Sequence, residues 1–356
     1  GFLALCTANL PEPDVIPSEN FNTVLYTGTG GTQSITGVGF QPDFTWIKAR
    51  NAAQTHGLFD SNRGVQKLLQ SNTTSAELTS TGYVTSFNSD GITIGGTGFL
   101  NGSGDTFVNW NWKAGGTAVS NTNGTITSSV SANVDAGFSV VSYAGSGSAG
   151  TVGHGLSQIP DMIITKDRDG AFQWITWHKD LTNAFASDGA YVYLNTTNAQ
   201  GTVSVWYDGT GISSSVYAWR SGNENVNQSG DNYISYCFHS VDGYSKVGSY
   251  TGNGSADGPY VHCGFRPAFL LIKNTNSSGG SGQHWQIADN MRDASNVVDQ
   301  TLFAESSSAE GHTWSAKDFL SNGFKVRSNN YAINYSGDTY IFIAFAESPF
   351  KHTNAR

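Results

Sequence analysis

A chain of 356 residues with a formal net charge of −9 and only 13% charged residues carries no cluster of Lys and Arg from which phosphate affinity could come, which excludes nucleic acid as a partner. No apolar run reaches the roughly 20 residues of a membrane-spanning helix, and the first residues lack the charged and apolar regions of a signal peptide. Forty-three glycines with abundant Ser, Thr and Asn leave few helix formers, so short strands joined by tight turns are expected throughout.

In chain order, residues 1–20 read as the end of a preceding domain followed by a linker stiffened by Pro11, Pro13 and Pro17. A first module is expected over 21–116. It opens on Tyr26-Thr27-Gly28-Thr29-Gly30, continues through a proline-led apolar strand ending in a lysine (42–48) and closes on Gly104-Asp105 with an alternating aromatic strand to Trp112. Its one expected helical turn lies at 65–70. The Ser/Thr/Asn-rich stretch 117–136 reads as a linker, more flexible than the direct junction at 243–246.

The same sentence then recurs twice. The second module, 137–243, has Tyr143-Ala144-Gly145-Ser146-Gly147, a strand over 160–166 and Gly230-Asp231 leading to Phe238. The third, 244–356, has Tyr250-Thr251-Gly252-Asn253-Gly254, a strand over 267–273 and Gly337-Asp338 leading to Phe345. The leading prolines, Pro42, Pro160 and Pro267, are offset by 118 and 107 residues. That period exceeds the roughly 20–50 residues of solenoid and propeller repeats. Pairs such as Asp90-Gly91 and Asp242-Gly243 supply the positive φ of tight turns. The expected fold is all-β: three tandem β-sandwich-like (jelly-roll or concanavalin-like) modules of about 110 residues each.

Comparing the copies separates scaffold from novelty. Trp46, Ile164 and Leu271 share one register; Phe107, Tyr233 and Tyr340 a second; Trp110, Tyr236 and Ile343 a third; Trp112, Phe238 and Phe345 a fourth. Exchange among large apolar types at period two marks the inner face of a sheet. Six tryptophans fall outside these registers: Trp174, Trp177, Trp206, Trp219, Trp285 and Trp314. They are either packing of private loops or platforms on which sugar rings could stack, with four of them in the second copy.

Two copies share Asp60 with Arg63 and Asp289 with Arg292, preceded by His56 and His284. The three-residue spacing suits a local ion pair pinning a turn, worth about 0–1 kcal/mol if exposed. The second copy shows Trp174-Ile175-Thr176-Trp177-His178 instead. Asp105, Asp231 and Asp338 follow glycine at a strand entry, where they are expected to cap the turn. Cys237 and Cys263 are expected as buried small hydrophobes.

No Gly-x-Ser-x-Gly elbow, His-Glu-x-x-His motif or Asp-x-Asp-x-Asp-Gly loop occurs, so neither a catalytic residue nor a metal or other cofactor is expected. A glycosidase pair of carboxylates, defined by separation in space, stays open.

The segments 37–48, 250–258 and 340–350 resemble a repeated β-module of predicted tail-fibre and other virion proteins of marine bacteriophages, and residues 1–13 resemble the end of a SPRY-like domain. The likeness runs from about Phe21 to Arg356. It implies a virion structural protein, a tail fibre or capsid-surface appendage at the particle surface or outside the cell, acting in structure and host adhesion. Its partners would be copies of itself, a trimer first, other virion proteins, and a host-surface glycan. A carbohydrate-binding module and a polysaccharide depolymerase are the alternatives.

Overall fold

The computed structural model describes residues 15–184, 189–202, 211–276 and 283–347. Among these the chain is all-β, and its strands fall into three groups of like order. In unit 1, strands Phe21–Thr27, Thr106–Trp112, Phe44–Ala49 and Gly57–Asp60 lie side by side in that sequence. In unit 3 the corresponding sheet runs Ser245–Thr251, Thr339–Ala346, Pro267–Asn274, Trp285–Asp289 and Leu302–Phe303. Unit 2 places Phe138–Ala144, Asn232–Phe238, Met162–Asp167, Ile175–His178, Ala190–Tyr193 and Gly201–Thr202 likewise. A smaller sheet belongs to each unit, such as Gln33–Thr36, Gly91–Ile94 and Val84–Asn88 in unit 1.

The repeated tyrosine and glycine motifs have one cause, a turn packed against the loop that leads into the closing strand. The Tyr26, Tyr143 and Tyr250 hydroxyls donate to the carbonyls of Leu100, Val226 and Ile333 at 2.6, 2.7 and 2.8 Å. The next glycine of each motif donates its N–H to the carbonyl of the recurring aspartate, Asp105, Asp231 or Asp338, at 2.8, 2.8 and 2.9 Å. A Cβ on Gly28, Gly145 or Gly252 would lie only 2.1–2.2 Å from a backbone carbonyl oxygen, so only glycine permits the approach. Asn101, Asn227 and Asn334, each four residues before that aspartate, accept from the N–H of Thr29, Ser146 and Asn253 at 2.8 Å. This asparagine stands at the same spacing in all three copies of the sequence.

The closing strand of each unit is buried on both faces, more than a one-sided alternation anticipates. In Thr339–Ala346, Tyr340, Phe342, Ala344 and Ala346 face the unit's own core, while Ile341, Ile343 and Phe345 join a central core shared by all three units. Unit 1 divides its strand the same way, with Phe107 inward and Trp110 and Trp112 toward the centre. Aromatic contacts there cross unit boundaries: Phe21 to Phe345 at 5.1 Å, Phe44 to Tyr236 at 4.2 Å and Phe238 to Phe345 at 6.1 Å. Period two therefore marks two cores, one on each side of the sheet.

Two sequence expectations are corrected. Residues 117–136, read as a linker, contain strands Val119–Asn121 and Ser128–Asn133, which extend the unit 2 sheet beyond Phe138–Ala144. Val130 enters the central core, and Asn62 of unit 1 donates to the Ser129 and Val140 carbonyls, so the segment gains packing its composition does not announce. Residues 65–70 form no helical turn; Lys67–Leu68 is a short strand, and Leu69 exchanges backbone hydrogen bonds with Leu58. Four-residue helices instead occupy Gly98–Asn101 and Tyr331–Asn334.

Candidate functional site

The tryptophans proposed as sugar platforms are mostly interior. Trp174, Trp177 and Trp219 are 0% exposed and Trp285 1%; Trp206 lies outside the described residues. Trp177 donates its indole N–H to the Ala184 carbonyl at 3.0 Å, and Trp219 packs edge-on against Tyr217 within unit 2. Trp174 and Trp285 join units. The strand registers align Gly57, Ile175 and Gln286 opposite the residues before Lys48, Lys166 and Lys273, which puts His56, Trp174 and Trp285 at one position. Trp174 donates to the Gln70 carbonyl of unit 1 at 2.9 Å, Trp285 to the Tyr193 carbonyl of unit 2 at 2.8 Å, and His56 Nε2 to the Phe303 carbonyl of unit 3 at 2.9 Å. The three acceptors are themselves equivalent, each following the residue that pairs with the fourth strand. Every unit thus fastens to a neighbour and the ring closes.

The Asp-x-x-Arg elements serve the same seams and are not exposed clips. Asp60 and Arg63 have fully buried side chains 2.5 Å apart, as do Asp289 and Arg292 at 2.6 Å. Each aspartate also accepts from another unit: Asp60 from the Tyr236 hydroxyl at 2.8 Å, Asp289 from the Trp110 indole at 3.0 Å. Each arginine reaches a glutamate that a neighbouring unit's arginine also grips, Glu77 with Arg168 at 2.9 Å and Glu310 with Arg50 at 2.8 Å. Unit 2 places His178 at the aspartate's register, where it meets the Phe342 carbonyl of unit 3 at 3.3 Å. The histidine before Asp289 is displaced by one residue from His56, and a one-residue offset in a strand points a side chain to the other face. His284 accordingly leaves the seam. Asp105, Asp231 and Asp338 hold their turns through the backbone bonds described above.

The recurring lysines are buried as well. Lys48, Lys166 and Lys273 are 0% exposed, and each ammonium donates to the carbonyl of the following residue at 2.8, 2.6 and 2.6 Å. Burial pushes Lys48 and Lys166 down to about 8 and Lys273 to about 7. Lys317, buried beside Thr301, is likewise pushed to about 7. Unfolding returns these amines to about 10.5, so the unfolded chain binds more protons between about pH 7 and 10 and stability rises with pH there. Thermal unfolding across that range should show a Tm climbing from pH 7 to about 9, with roughly 1–2 kcal/mol gained per lysine, until tyrosine ionisation in the unfolded chain reverses it. Replacing Lys273 by methionine should flatten the climb.

What remains for external contact is Trp314 and the grooves. Trp314 is half-buried; with His284 and His312 it packs around Phe303, at ring separations of 5.7, 4.1 and 4.4 Å from that residue. Glu305 binds His284 and accepts from the Trp285 N–H at 3.0 Å. At the unit junctions, a groove of about 870 Å³ is lined by Glu19, Asn20, Gln41, Lys113, Asn133 and Asp135. A second, of about 680 Å³, shares Asp135 and adds Ser157, Gln158, Ser240 and Asp242. These walls offer hydrogen-bonding groups suited to polar ligands. Cys237 and Cys263 are buried free thiols, and burial raises both. Among the described residues no three metal-ligating side chains converge, and no helix is long and apolar enough to cross a membrane.

No curated protein matches the chain. A family model described as a domain of unknown function (DUF7483) matches residues 16–349, and the chain belongs to that family.

Proposed function

We propose that the chain is a structural and adhesive part of a virion surface, as a tail fibre or capsid appendage, assembling with copies of itself or with other virion proteins. The supporting observation is where its chemistry goes. The ion pairs, the lysines and the tryptophans of the seams are buried, and the grooves left outside mix polar with apolar walls. A block braced in this way suits load bearing and surface contact. Labelling intact phage particles with antibodies against this chain tests the reading; particles purified free of the chain would remove it.

A second reading, binding of a bacterial or marine polysaccharide, draws on Trp314 and the two grooves. Co-sedimentation with host cells and their extracted polysaccharide should then be saturable. Trp314→Ala should weaken it at least tenfold while costing about 1–2 kcal/mol of stability, since the ring is only partly buried. Equal binding by the variant would exclude Trp314 as a platform. New reducing ends in the supernatant would point instead to a depolymerase.

A further inference from the structure

The three seams are equivalent in geometry but not in chemistry. At the shared fastening position units 2 and 3 use indoles, whereas unit 1 uses His56. The seam that His56 fastens, between units 3 and 1, is also the one that the chain does not cross, because units 1 and 2 and units 2 and 3 are consecutive. We propose that protonation of His56 opens this seam, converting the closed ring into an open string of folded units.

The ring nitrogens leave no place for a second proton. The Trp46 indole can only donate, and it lies 2.8 Å from Nδ1, which therefore accepts. Nε2 carries the hydrogen and donates to the Phe303 carbonyl at 2.9 Å and the Ser306 carbonyl at 3.1 Å. A proton on Nδ1 would set two N–H groups against each other inside a fully buried site. Lys48, on the adjoining strand, adds a like charge. From unit 3, Glu305 lies between the accepting residues, but its carboxylate is held by His284 and the Trp285 N–H. Glu310 is held by Arg50 and Arg292. Burial first, then Lys48, pushes His56 from 6.5 down to about 3. The stability that the neutral ring gives the seam is therefore complete above about pH 6.5 and falls as pH drops toward 3, where the closed form itself takes the proton.

His178 at the seam between units 2 and 3 and His154 within unit 2 are also held neutral by burial. They would loosen segments that the chain keeps tethered. Private cores, such as that under Val84–Asn88 and Gly91–Ile94, do not depend on His56.

One backbone bond per seam reports the outcome. The Glu310 N–H donates to the Arg50 carbonyl between units 3 and 1, Glu77 to Arg168 between 1 and 2, and Gln200 to Thr275 between 2 and 3. Hydrogen exchange of these amides between pH 7 and 4, corrected for intrinsic rates, should show Glu310 losing protection by about tenfold per pH unit below about 6.5, the slope of one proton. Glu77, whose carboxylate has the same arginine partners in kind, should lag behind it, and amides of the 84–94 hairpin should stay protected. His56→Gln, which can accept from Trp46 and donate to Phe303 without titrating, should abolish the Glu310 slope. Loss of all three amides together in the wild-type chain, or an unchanged slope in His56→Gln, overturns the proposal. If the variant does not fold, the three-amide comparison decides alone.

Discussion

Replacing Trp177 by alanine is expected to destabilise the protein by about 3–5 kcal/mol, the range for removing a large buried aromatic. The indole is fully enclosed and leaves both a cavity and an unmet acceptor at Ala184. At roughly 2–4 °C per kcal/mol for chains of 150–250 residues, the Tm should fall by about ten degrees. If Trp177 were a sugar platform, the same substitution would leave the fold intact and remove sugar binding. Differential scanning calorimetry decides: an unchanged Tm with lost binding would restore Trp177 as a platform.

Asp289→Ala is the second large effect. It takes the nearest carboxylate from the fully buried Arg292 guanidinium, leaving it Glu310 at 3.5 Å, and it deprives the Trp110 indole N–H of its acceptor. Breaking one partner of a buried pair costs about 3–5 kcal/mol where no other charge compensates, and the remaining pair with Glu310 puts this case near the lower end, about 3 kcal/mol. Urea unfolding should show that loss, and replacing Asp289 and Arg292 together by apolar residues of similar volume should recover much of it. A loss below about 1 kcal/mol would mean the pair behaves as a solvated surface bridge. The same substitution weakens the seam between units 3 and 1, where the acid opening is proposed, so Asp289→Ala should also raise the pH at which the Glu310 amide loses protection.

The sequence by itself determined the all-β class, the repeated tyrosine, glycine and aspartate motifs, and the pairing of Asp60 with Arg63 and of Asp289 with Arg292. The ion pairs are local, set within one turn, and the glycines, although forced by backbone at Gly102, Gln228 and Tyr335 far along the chain, are legible because the motif recurs three times. Burial of Cys237, Cys263 and the recurring aromatic registers was legible from their residue types on apolar strands, while which of the two cores each enters was not. What the sequence leaves open has one cause. An indole facing solvent and one crossing a seam look alike in sequence, because its acceptor, Gln70 for Trp174 or Tyr193 for Trp285, lies about 100 residues away on another unit. The equivalence of His56 with Trp174 and Trp285, rather than with His284, required the strand register, where a slip of one residue exchanges faces. The strands within 117–136 and the depth of the Asp-x-x-Arg pairs were likewise decided only by tertiary structure. Whether a polar or flat side chain is buried depends on what another part of the chain lays over it.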